Sequence, residues 1–572
     1  MAKFLFVLVL LTSVLGNVAK AASPMVGPEF EISFPPSARS EPVTGRLLLM
    51  LSKTDQPEVR YQVGWINSPP VFGIDVSALK PEKLAIIDGS VPGFPLQSLN
   101  SIPPGEYYVQ ALLNIYTEFH RADGHVIWAH NDQWEGQSFS RSPGNLFSKV
   151  RKIRVGGAGH EKFKLSLTEV IPPLKVPADT EWVKYVKIRS NLLSQFWGRP
   201  MYLGAVVLLP RGYADHPETH YPVIYEQGHF SLEAPFGFRI KDTSETEDER
   251  REREALGVET GYEFYREWNS DEFPRVIAVR ILHPTPYFDD SYAVDSVNSG
   301  PYGTAIMDEL IPYIEKTFRI INQPYARVLT GGSTGGWESL ALQLFHPNFF
   351  DGTWVLYPDP VDFRRFQLAN IYKDDNMFVL GSGDVPEWAR QDWVSSERAF
   401  ARGNDGQTIA TVRQESQLEA TLGSHGRSGG QLAVWGATFG PVGVDGYPEP
   451  LFDPVTGVIN HEVALYMRDH DYDLRYYAEK NWPRIGNELS GKLKLYCGDM
   501  DNYYLNLAVY LFGQFLNKVD SSGKQTLLEY GSPLKGHGWQ PMSNAALVRL
   551  MSERVAARTP EMSSLARSDP GS

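Results

Sequence analysis

The chain has one cysteine, Cys497, in 572 residues. One thiol cannot form an internal disulfide, so a fold of this length must rest on its apolar cores. Cys497 ends the apolar run Leu493-Lys-Leu-Tyr-Cys497 and reads as a buried strand residue rather than a nucleophile. Positive charge is also scarce. Lys and Arg number 54 against 68 Asp and Glu, a formal net charge of −14. Such a chain repels phosphates, which argues against nucleic-acid partners and anionic membranes. Long apolar runs are missing beyond the N-terminus. The run from Phe4 to Leu15 is itself shorter than the roughly 20 residues of a membrane span. It follows a basic start and precedes Ala19-Lys20-Ala21. Residues 1–21 therefore read as a cleaved signal peptide, and the mature protein is expected to be periplasmic or extracellular with no stable membrane anchor. Metal patterns are missing too. His461-Glu462 has no second histidine at helical spacing, and no metal or organic cofactor is expected.

What is present divides by texture. Residues 22–175 carry short apolar or alternating runs, such as Arg46-Leu-Leu-Leu-Met50, Arg60 to Trp65 and Glu106 to Leu113, with Gly, Pro and Ser between them. That pattern predicts a β-sandwich of immunoglobulin-like size, with a hairpin turn at Asp123-Gly124 and aromatics such as Trp65, Trp128 and Trp134 in its core. A proline-bearing linker at about 175–190 follows. From about 185 to 552 strand-like and helix-like runs alternate, which predicts an α/β fold: a mostly parallel sheet with helices on both faces. The stretch 362–491 interrupts the alternation and reads as an insertion over one sheet edge. Residues 557–572 read as a disordered tail.

Two segments fit G-x-S-x-G: Gly331-Gly-Ser-Thr-Gly335 and Gly426-Arg-Ser-Gly-Gly430. The pattern alone does not choose between them. A nucleophile elbow needs a serine on a sharp turn between a buried strand and a helix, with glycines where the two approach. Val328-Leu329 before Ser333 and Trp337 to Phe345 after it meet that need. Polar Ser424-His425 and Arg427 before Ser428 do not, and Ser428 reads as a flexible loop residue.

A serine is a weak nucleophile at neutral pH and needs an imidazole base held by a carboxylate. In this fold class the order along the chain is serine, acid, histidine. The loop Gly498-Asp-Met-Asp501 follows a strand-like run and offers Asp501 or, nearer the strand, Asp499. His537 lies between two glycines after the last strand-like run and is the expected base. The negative charge on the carbonyl oxygen in the tetrahedral state needs aimed N–H donors. One is the amide of Thr334. The second is expected from the exit of Tyr221-Pro-Val-Ile-Tyr225, at His229 or Phe230.

With these residues in place, the span 185–550 resembles the putative-esterase branch of the α/β-hydrolases, which includes feruloyl and acetylxylan esterases, S-formylglutathione hydrolases, enterochelin esterases and mycolyltransferases. The matching pieces are Tyr221 to Tyr225, Glu309-Leu-Ile-Pro-Tyr-Ile-Glu315, Gly331 to Gly336, His346-Pro-Asn-Phe-Phe350, Gly498 to Asp501 and His537. Here Gln227-Gly228-His229 stands where the family has His-Gly. The resemblance implies a serine esterase acting on a small-molecule or glycan-linked ester, with Ser333, His537 and Asp501 as triad. An acyltransferase or peptidase on the same residues, or a non-catalytic binding protein of this fold, are the alternatives.

Overall fold

The computed structural model describes residues 27–131, 138–156, 161–381, 397–519 and 526–559. The expected signal peptide, Trp134 and the tail from residue 560 lie outside them. Among the described residues no helix is long and apolar enough to cross a membrane.

The N-terminal region forms two sheets. The smaller has three strands, Lys162–Ser166, Glu29–Ser33 and Ala85–Ile87. The larger is built around Val43–Ser52, which pairs antiparallel with Val71–Leu79 and Gly105–Ile115. Side chains alternate across a strand. Leu47, Leu49 and Leu51 thus face Phe30 and Ile32 of the smaller sheet. Leu48 and Met50 face the other way, toward Leu418 from the far end of the chain. Burial on both faces explains why this strand reads as an unbroken apolar run. Arg60 to Trp65, expected as a strand, holds only a 3-10 turn at Val59–Tyr61. Trp65 is 36% exposed rather than in the core. The Asp123-Gly124 turn does join a hairpin, Thr117–His120 with Val126–Ala129. That hairpin leaves the sheets and packs Phe119, Ile127 and Ala129 into the core around Trp197.

From Val183 the chain builds one eight-stranded sheet. Its strands are β1 (Val183–Ser190), β2 (Met201–Leu208), β3 (Val223–Gln227), β4 (Ile277–Leu282), β5 (Arg327–Gly332), β6 (Thr353–Leu356), β7 (Leu493–Gly498) and β8 (Thr526–Gly531). The spatial order is β1-β2-β4-β3-β5-β6-β7-β8. β2 runs antiparallel to β1 and β4, and every later pairing is parallel. The order reverses at β3, β4 and β5, and the crevice outside the carboxyl ends there is where ligands bind in such sheets. The expected linker at 175–190 thus contains all of β1. Helix α1 (Thr334–Phe345) follows β5 and is buried at every position except its last. Its Trp337, Leu340 and Leu344 join one core and its Leu342 another.

Residues 357–492 separate β6 from β7. They hold the hairpin Ala399–Arg402 with Thr408–Thr411 and helices α2 (Val412–Leu422), α3 (Gln431–Phe439), α4 (His461–Asp469) and α5 (Leu474–Ile485). Their apolar faces share one core with Trp337 and Leu340 of α1. Helix α6 (Asn506–Val519) covers the far side of β7, and α7 (Asn544–Arg558) runs two residues into the span expected to be a tail.

Candidate active site

Ser333 is the residue between β5 and α1. Its backbone has φ 58° and ψ −124°, a strained turn for a residue with a Cβ. The strain holds because the neighbours have no side chains. A Cβ on Gly335 would run into the carbonyl oxygen of Gln227 at the end of β3, and one on Gly331 into the carbonyl of Gly335. A Cβ on Gly336 would lie 2.6 Å from Leu356 O. The glycines let helix and sheet meet closely enough to lift Ser333 to the rim of the sheet.

His537 and Asp501 arrive from the loops after β8 and β7. His537 Nε2 lies 3.0 Å from Ser333 Oγ, and His537 Nδ1 lies 2.8 Å from Asp501 Oδ2. Asp501 is fully buried, and its Oδ1 accepts from the amides of Tyr503 at 2.9 Å and Leu505 at 3.2 Å. Its carboxylate is thus an acceptor on both oxygens, which fixes the imidazole proton on Nδ1 and leaves Nε2 as an acceptor toward Ser333 Oγ. Asp499, the other acid in the loop, faces away, with Oδ1 accepting from Lys535 N at 2.8 Å.

Several parts of this arrangement carry no local sequence signal. Asn502 Oδ1 accepts from His537 N at 2.8 Å and ties the two loops together. Arg402, from the hairpin in the 357–492 segment, donates through Nε to Asp501 O at 3.0 Å. The imidazole of His537 sits between the edges of Tyr357 and Tyr503, at centroid distances of 4.8 Å and 5.0 Å. Tyr503 in turn meets Trp65 of the N-terminal region at 5.8 Å.

Thr334 is the first residue of α1, where an amide has no partner within the helix. The register Gln227↔Gly331 and the contact of Gly335 with Gln227 bring the exit of β3 beside this amide. The imidazole of His229 turns toward the loop after β4. Its Nδ1 lies 3.0 Å from Asp289 Oδ1 and 2.9 Å from Asp290 Oδ2. Burial alone would lower the histidine pKa, but the two carboxylates outweigh it and hold the pKa well above the usual value. The three atoms lie within 4.8 Å of one another, a spacing suited to a small cation. Behind them on α1, Glu338 is fully buried with neither oxygen hydrogen-bonded and Oε1 3.7 Å from His283 Nε2, and burial followed by the charge of Asp290 pushes its carboxyl well above the ordinary range.

A second acid stands at Ser333 itself. Asp359, three residues past β6, has Oδ1 3.3 Å from Ser333 Oγ. Sequence reading missed it because nothing in Tyr357-Pro-Asp-Pro360 distinguishes it from a loop acid. Ser428, in contrast, is a buried and anchored residue rather than a flexible one. Its Oγ donates to Glu419 Oε2 at 2.8 Å, on the wall of a cavity of about 430 Å³ lined by segments α2 and α3. The nearby His425 pairs with Asp445, so no imidazole serves Ser428.

The sequence model of the family described as Putative esterase matches residues 198–419. No curated protein matches the chain. Among solved structures, a ferulic acid esterase is 17% identical, over 66% of this chain and 98% of its own, with a TM-score of 0.32. The S-formylglutathione hydrolase of Agrobacterium tumefaciens is 12% identical, over 66% and 95%, with a TM-score of 0.31. The serine hydrolase FphF of Staphylococcus aureus is 14% identical, over 65% and 98%, with a TM-score of 0.29. The match of residues 198–419 to the putative-esterase family, on a sheet with the strand order of an α/β-hydrolase, makes the protein a carboxylic ester hydrolase.

Proposed function

We propose that the protein is an exported serine esterase that works through an acyl-enzyme on Ser333, His537 and Asp501. The observation that carries this reading is the unbroken chain from Ser333 Oγ to His537 Nε2 at 3.0 Å and from Nδ1 to Asp501 Oδ2 at 2.8 Å. Ser333 Oγ attacks the ester carbonyl while its proton passes to His537 Nε2. The tetrahedral oxyanion is received by the amides of Thr334 and His229, each aimed donor lowering its energy by a few kcal/mol, about 3. The bond to the alcohol breaks as Nε2 returns the proton to it. Water, deprotonated by the same imidazole, then releases the acid and restores the hydroxyl. Asp501 holds the imidazolium in place and stabilises it. Export is supported by the apolar run and small residues of positions 1–21.

A fluorophosphonate probe, which labels an activated serine, tests the assignment. Ser333→Ala is expected to abolish labelling and Ser428→Ala to leave it intact. Labelling that survives the first change and disappears with the second means the nucleophile is in the other motif.

A further inference from the structure

Asp359 is the feature of the site that ester hydrolysis on the triad does not use. It is buried, with 4% exposure, and its two oxygens have different surroundings. Oδ2 accepts from Tyr292 OH at 2.5 Å, Thr334 Oγ1 at 3.0 Å and Gln431 Nε2 at 3.1 Å. The direction of the first bond is fixed. Tyr292 OH itself accepts from Trp435 Nε1 at 2.7 Å and from Gln431 Nε2, so its single proton is committed to Asp359. A carboxylate that receives three donors on one oxygen is held immobile. Its other oxygen, Oδ1, has at most a share of the Ser333 hydroxyl, at 3.3 Å, because the one proton of that hydroxyl also faces His537 Nε2 at 3.0 Å.

That donor does not survive the reaction. Once Ser333 gives its proton to His537 and bonds the carbonyl carbon, Oδ1 faces an ester oxygen, an acceptor against an acceptor. Leaving a buried carboxylate oxygen without a donor is costly. Among the described residues no Lys, Arg or His forms an ion pair with Asp359, and the charge of His229 is taken up by Asp289 and Asp290. The replacement donor must therefore come with the substrate. A group on the carbon next to the scissile carbonyl lies within hydrogen-bond reach of the serine oxygen and hence of Oδ1. An ammonium there supplies both the donor and the missing positive charge, whereas a hydroxyl supplies only the donor.

We propose that Asp359 Oδ1 binds a protonated amine on the α-carbon of the acyl group, so that the preferred substrates are α-aminoacyl esters. The inference rests on Ser333 being the nucleophile, as proposed above. Initial rates of the full-length enzyme on the ethyl esters of alanine, propionate and lactate test it. Wild-type kcat/KM for the alanine ester is expected to exceed that for the isosteric propionate ester by about tenfold to a hundredfold, the range of a charge-assisted hydrogen bond. The advantage should fade as the pH rises through roughly 8, where an α-amine loses its proton. Asp359→Asn is expected to bring the alanine-to-propionate ratio toward one. A wild-type ratio near one, no turnover of the alanine ester, or an equal loss on both esters in Asp359→Asn overturns the proposal. A lactate ester cleaved as well as the alanine ester overturns the ammonium assignment. Propionate turnover that survives Ser333→Ala marks a different failure, that of the nucleophile on which the inference rests.

Discussion

At the scale of single residues, the two acids of the Gly498–Asp501 loop make opposite predictions. Asp501 holds the imidazole tautomer, so Asp501→Asn should lower kcat by about 10³–10⁴-fold with little change in KM. Asp499 caps the amide of Lys535 instead. Asp499→Asn should therefore cost stability, roughly 1 kcal/mol by urea denaturation, and leave kcat within tenfold. A loss in Asp499→Asn as deep as in Asp501→Asn would reverse their roles. The glycines around Ser333 can be tested in the same way. Gly335→Ala places a methyl against the Gln227 carbonyl, and overpacking of this kind costs about 1–3 kcal/mol. Activity should fall further than stability, because the displaced pair is the exit of β3 and the start of α1.

At the scale of elements, the strand ends and the loops that follow them carry the chemistry. Buried imidazoles near these elements set the acid limit of the fold. His283, just past β4, and His130, just past the strand Val126–Ala129, are both fully buried, and burial lowers each pKa from 6.5 to about 4. Above the unfolded value both states are neutral and nothing is lost. As the pH falls from about 6.5 toward 4, only the unfolded chain takes up the two protons, so stability declines across that window. At pH 5 the loss is about 2 kcal/mol per histidine. Urea midpoints at pH 7 and pH 5 measure it, and equal midpoints would rule it out. Much of this layout was legible beforehand. The alternation of strand and helix, the elbow at Ser333 and the order serine, acid, histidine are local patterns or chain order, and sequence displays both. Asp359, Asn502, Arg402 and the rings of Tyr357 and Tyr503 were not legible. Each owes its place to tertiary approach across long stretches of chain, and none differs from an ordinary loop or surface residue until the chain is folded. Arg60 to Trp65 misled for a related reason. Its apolar residues suit a strand, but among the described residues no strand pairs with it, and only a 3-10 turn forms.

At the scale of the whole molecule, the N-terminal sheets and the segment between β6 and β7 are clamped together. Arg46, in the central N-terminal strand, donates to the carbonyls of Thr421 and Ala420 at 2.9–3.0 Å and to Asp75 at 3.2 Å. Burial alone would raise the pKa of Asp75, but the hydroxyl of Ser424 and the cations of Arg46 and Arg427 outweigh it and hold it below the ordinary range. Arg46→Ala strips both partners of their donor and should cost roughly 3 kcal/mol. Calorimetry should then resolve separate melting of the two regions where the native protein gives one transition; a single unshifted transition would mean the clamp is idle.

The stack Trp65, Tyr503, His537 bears on how this enzyme can be cut down. Tyr503 joins an indole from the first hundred residues to the imidazole of His537. A minimal fragment that begins where the eight-stranded sheet begins would keep all three triad residues yet lose one wall behind the base. Such a truncated enzyme should be slower at every substrate, because its imidazole is free to tilt.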